Sequence, residues 1–177
     1  SMENTGGVFK YSGPITYTGD HVLQMFPNSV VNNVMNSTTA DSSVKFYGSL
    51  HFTSTSSVLA VNIKPIDRFP VDNTYNELIL DGNFENTTVD WGVDKQLTIR
   101  QTLSDHTATL KSMNVKTVLF NSTNIQIDDL TIPSTETVTL IDSSVQAILS
   151  DSITSIKLDM QDSTFILHAS KAHTTSI

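Results

Sequence analysis

The chain is 177 residues long, sets 10 Lys plus Arg against 18 Asp plus Glu for a net charge of −8, and contains no cysteine. That balance leaves no basic stripe for phosphate contacts, which argues against nucleic acid as a partner and disfavours anionic membrane surfaces. The lack of cysteine excludes a disulfide framework and thiolate chemistry, and no apolar run approaches the length of a membrane span.

Ser and Thr supply about a quarter of the chain, while only 16% of residues are charged. Disordered segments usually stay solvated through charge, so a low-charge chain of this length is expected to form one domain with its own core. Val, Ile and Thr are frequent, and branching at Cβ favours strands. The opening Ser1-Met2 reads as a scar of tag removal, so the missing leader carries little weight, and a secreted, periplasmic or cell-surface location is the expectation.

In chain order, "VFKY", "ITYT" and "HVLQMF" between Val8 and Phe26 predict three short strands, separated by turn signals at Gly13-Pro14 and Gly19-Asp20. Asn28 to Ser43 reads as a loop or as one short helix through Val30, Val31, Val34 and Met35. Strands are predicted again over Val44–Thr53 and Ser57–Pro65, and the stretch holding Pro65 and Pro70 reads as a connecting loop. Residues 1–70 are therefore expected to be a β-rich segment packed on or capping a repeat region. That region spans residues 71–170, and 171–177 form a frayed tail.

From Tyr75 onward the pattern is regular. "ELILDGNF", "QLTIRQTL", "TVLFNSTNIQI", "TVTLIDSSVQAI" and "SIKLDMQDSTFIL" each combine strand alternation with a small polar turn. Leu78, Leu97, Val118, Val138 and Ile156 recur at intervals of 19, 21, 20 and 18 residues, and Asn121, Asp142 and Asp162 fall at matching turns. A period near twenty predicts a right-handed parallel β-helix, a solenoid whose coils stack about 4.8 Å apart. Val138 is then expected over Val118 with Ile156 beyond it, and Val145 between Ile125 and Phe165. The alternative is a β-sandwich or jelly roll, whose meander of strand pairs would mimic the same period.

The acidic turn residues Asp142 and Asp162 are weak Ca²⁺ candidates, since carboxylates on adjacent coils can share a cation; the plainer reading is that they shape turns in water. No metal or cofactor is expected. Asp128, Asp129 and Asp151 offer a second acidic edge of the kind that serves glycosidic hydrolysis only at defined separations. The five His residues show no zinc spacing, and no nucleophile elbow or phosphate loop occurs. Trp91, Tyr47 and Asn121 are the ligand-binding candidates. An open indole can stack on a sugar, and the opposing reading buries Trp91 at the first coil beside Gly92. The Asn36, Asn86 and Asn121 acceptor patterns for glycosylation are expected by chance in so Asn-, Ser- and Thr-rich a chain.

"YNELILDGNFENTTVDWGVDKQLTIR", followed by "VLFNSTNIQIDDLTI" and "VTLIDSSVQAILSDSITSIKLDMQDSTFIL", resembles the auto-transporter adhesin family, or head GIN domain, of secreted and lipid-anchored bacterial proteins. The resemblance covers about 95 residues. It implies a β-helical surface domain with no catalytic residues to carry over. Three functions are the expectations, the first being a non-enzymatic surface domain binding carbohydrate or another surface protein. The second is a structural fibre or assembly module, in which the chain is a homo-oligomer, and the third a polysaccharide-degrading enzyme on the same scaffold.

Overall fold

The computed structural model describes the backbone of the strands and most of the connections beyond residue 76. Side chains are described for 45–46, 48–52, 62–65, 76–81, 84, 87–92, 96–103, 106–133, 135–153, 155–168 and 177. The first strands are β1 (Met2–Thr5), β2 (Val8–Ser12), β3 (Ile15–Tyr17), β4 (Val22–Met25), β5 (Ser29–Asn32), β6 (Met35–Ser37) and β7 (Ser43–Phe46). Next come β8 (Gly48–Val58), β9 (Asn62–Pro65), β10 (Asn76–Asn83), β11 (Thr88–Asp90), β12 (Leu97–Arg100), β13 (Ala108–Leu110) and β14 (Ser112–Asn114). The last are β15 (Val118–Asn121), β16 (Asn124–Thr131), β17 (Thr137–Ile141), β18 (Ser144–Leu149), β19 (Ser155–Gln161), β20 (Thr164–His168) and β21 (Thr174–Ser176).

These strands stack as a parallel β-solenoid. One face is a 10-stranded sheet in the order β1-β2-β5-β8-β10-β12-β15-β17-β19-β21. The other is a 9-stranded sheet whose path runs β20-β18-β16-β14-β11-β9-β7-β4, with β13 also pairing β16. A short third sheet joins β3 and β6. Every described pairing is parallel except β1 with β2. Parallel neighbours some twenty residues apart rule out the sandwich alternative, whose sheets are antiparallel.

The N-terminal strands belong to the same stack, since β2 pairs β5, β5 pairs β8, and β4 pairs β7. Residues 29–32 and 35–37 are strands, which overturns both the loop and the helix reading of Asn28–Ser43. The β-branched pair Val30-Val31 takes the extended form because neighbouring strands are there to receive it. The Pro70 connection lies outside the described residues.

Alternation sends one set of side chains inward along β17, where Val138 and Leu140 are buried between partly exposed Thr137, Thr139 and Ile141. Successive coils align those residues into columns. Leu50, Leu78, Ile99, Phe120, Leu140 and Met160 form one, and Leu97, Val118, Val138 and Leu158 the next. The predicted column is two residues out at each end. Leu97 pairs with Asn76 rather than Leu78, and Val138 with Leu158 rather than Ile156. A two-residue slip keeps side chains on the same face, so alternation alone cannot detect it. On the opposite sheet, Val145 does sit between Ile125 and Phe165. Each fully buried side chain of this size contributes roughly 1.5–3 kcal/mol.

Candidate functional site

The corners between the two long sheets carry the polar chemistry. Ser122, Asp142 and Asp162 all adopt left-handed backbone, with φ of 55°, 48° and 48°. Short polar residues tolerate this conformation better than β-branched ones, which explains the repeated small turns. The matching residue in the earlier coil is therefore Ser122. Asn121 ends its strand opposite Ile141, which corrects its predicted place in the series.

The residue after each left-handed corner points inward and builds a hydroxyl ladder. Ser143 Oγ donates to the Ile141 carbonyl at 2.8 Å and accepts from the Thr123 amide at 3.0 Å and the Thr123 hydroxyl at 3.1 Å. Ser163 Oγ repeats the pattern, donating to the Gln161 carbonyl at 2.7 Å and accepting from the Ser143 amide at 3.0 Å. Each hydroxyl thus satisfies a backbone N–H of the coil beneath it, where an unmet buried donor would be costly.

Two coils earlier the same corner is held by a carboxylate. Asp81, only 4% exposed, accepts from the Thr102 amide at 2.8 Å, the Leu103 amide at 3.3 Å and the Thr102 hydroxyl. His51 Nε2 lies 2.6 Å from its Oδ2. Burial alone pushes the carboxyl's pKa up, but the hydrogen bonds from Thr102, His51 and Leu103 together outweigh it and hold it below the ordinary value. Gln101 spans the adjacent gap, donating to the Leu80 carbonyl at 3.1 Å and accepting from the Asn124 amide at 2.6 Å.

Above this clamp lies a groove of about 300 Å³, lined by Gln101, Thr102, Leu103, Ser122, Thr123, Asn124 and Asp142. Leu103, the apolar residue among the described lining, is 49% exposed. A second groove, of about 280 Å³, crosses the other sheet and is lined by Asn62, Lys64, Thr88, Val89, Asp90, Ser112 and Asn114. In it Thr88 donates to the Asn62 side chain, and Asn114 Nδ2 lies 3.4 Å from Asp90 Oδ1.

No family model, curated protein or solved structure matches the chain. The chemistry of the site therefore rests on its own residues.

Of the predicted ligand-binding residues, Asn121 stands beside the corner groove, its Oδ1 accepting from Ser122 Oγ at 3.2 Å. Trp91 is 1% exposed and packs on Phe46 with ring centroids 4.9 Å apart, so it offers no face to a sugar. Its burial follows from a parallel stack in which Phe46 and Trp91 reach the same interior. Gly92 beside it takes φ 44°, a conformation open to glycine, as the turn at this point needs. Tyr47 lies outside the described residues.

Asp142 and Asp162 lie at corners open to solvent, and Asp128, Asp129 and Asp151 are exposed. Among the described residues no group of three or more His, Cys, Asp or Glu converges as a metal site would require. Asp128 instead accepts from Gln126 at 3.3 Å. Arg100 is committed to Glu77 through two contacts of 3.2 Å, a fork that also receives Ser49 Oγ at 3.2 Å. Both the Arg100–Glu77 pair and the Asp81 clamp join residues more than twenty positions apart. They follow from the coil register and carry no local motif.

Proposed function

We propose that this chain is a non-enzymatic extracytoplasmic surface domain that binds carbohydrate through the corner groove. The observation carrying this reading is the groove itself: a shallow depression whose described lining is amide, hydroxyl and carboxylate groups around exposed Leu103. Sugars present hydroxyls on their edges and C–H groups on their faces, and a polar rim with a small apolar patch complements both. Its volume stands at the small end of ligand sites, which run from about 300 to 1,000 Å³, and so suits one residue of a glycan chain. The resemblance of residues from 75 onward to the head GIN family supports a surface role. The test is a glycan array with the intact chain and with Asn124→Ala. Binding that is lost in the variant supports the reading. New reducing ends or unsaturated sugars on incubation would replace it with an enzyme.

A second reading, a structural assembly module, is favoured by one feature. The outermost strand of the 9-stranded sheet, β20, leaves Phe165 and Leu167 only half-buried and Ile166 exposed. Such an edge can pair with another chain. A mass that rises with concentration in light scattering, without glycan binding, would favour this reading.

A further inference from the structure

The carbohydrate reading leaves open which sugars the groove accepts, and any selectivity rests on that reading. The hydrogen-bonding state of the lining narrows the choice. Gln101 is buried and has both amide ends committed, one to the Leu80 carbonyl and one to the Asn124 amide. Thr123 is buried and its hydroxyl is spent on Ser143. The Thr102 hydroxyl proton goes to Asp81, and the Ser122 hydroxyl proton to Asn121. One N–H of Asn124 goes to Thr107 at 3.0 Å.

The groups left to face a ligand are then almost entirely acceptors: the Asp142 carboxylate, the lone pairs of Ser122 and Thr102, and the Asn124 carbonyl. Among the described lining residues, the side-chain donors that remain are the second N–H of exposed Asn124 and that of Gln101, which is buried. No Lys or Arg is among the described residues that line the groove, and the chain as a whole carries −8. We infer that the groove selects neutral, hydroxyl-rich sugars and rejects acidic ones. A sugar hydroxyl brings the donors that these acceptors lack. A uronate or sulfate brings more acceptors and a charge that meets Asp142 with no cation to offset it.

Calorimetric titration at low salt tests this with neutral trisaccharides of glucose, galactose and mannose, each set against its uronate counterpart. The expected result is that at least one neutral trisaccharide binds and its uronate binds at least about tenfold more weakly. Asp142→Asn keeps a residue that accepts left-handed backbone, so the fold should survive, as circular dichroism and an unchanged thermal midpoint would verify. In that variant the gap should narrow to under about threefold. Amide shifts of Leu103, Ser122 and Asn124 on titration should place the sugar in the groove. A uronate that binds as tightly as its neutral partner, or a gap unchanged in Asp142→Asn, overturns the selectivity while leaving carbohydrate binding in place. If no trisaccharide of either kind binds, the carbohydrate reading falls and the selectivity with it.

Discussion

At the scale of single residues, the corner chemistry is unequal from coil to coil, and that inequality can be measured. Ser143→Ala strips the buried Thr123 amide of its acceptor, so a loss of about 1–3 kcal/mol is expected in urea unfolding. Ser163→Ala should cost less, because Ser163 and its surroundings are partly open to water. Ser122 takes the left-handed conformation that Asp142 and Asp162 adopt above it, without the side chain best suited to it. Ser122→Asn is accordingly expected to stabilise by up to about 1 kcal/mol, read as a raised thermal midpoint. Asp81 gives a pH signature. Its folded pKa lies below the ordinary 3.8, so the unfolded state binds the proton more readily. The stabilisation is complete above the unfolded value and is lost as pH falls through the folded one. Wild-type stability should therefore drop below about pH 4, while Asp81→Asn should be weaker at neutral pH and flatter across the acid range.

Between elements, a residue's place in its column decides its worth. Leu140 and Met160 are neighbours in one column, yet Leu140 has a coil on each side and Met160 is only partly buried. Leu140→Ala should cost about 2–5 kcal/mol, as large-to-small changes in closed cores do, and Met160→Ala distinctly less. In a quasi-one-dimensional stack each coil is stabilised chiefly by its neighbours. Hydrogen exchange should thus show Leu140→Ala loosening β15, β17 and β19 together, with Met160→Ala confined to the C-terminal coils. The strands from β15 to β20 were legible in the chain from alternation alone, whereas β5 and β6 were not. Nor was the register, because Ile156 and Leu158 face the same way and only pairing with Val138 tells them apart.

For the molecule as a whole, the 9-stranded sheet ends in half-covered apolar residues at β20, with Ile166 exposed on that strand and Ile148 exposed on neighbouring β18. If that edge associates, Ile166→Lys should abolish any concentration dependence of the mass in light scattering, since a charge on an edge strand opposes pairing. The sugar binding proposed for the corner groove should be untouched by that change, because Ile166 is not among its described lining residues.

Alternating β-branched strands and small polar turns at a period near twenty pointed to a solenoid, and parallel pairing between coils decided it against a sandwich. Each coil buries its inner face only against another, and the pattern repeats that demand along the chain. The parts that touch function came from the tertiary structure. His51, Asp81 and Thr102 meet across three coils, Ser122 rather than Asn121 takes the corner, and Trp91 disappears into the core. Such meetings depend on how many residues each turn consumes, a sum over the whole connection that no local stretch of sequence contains.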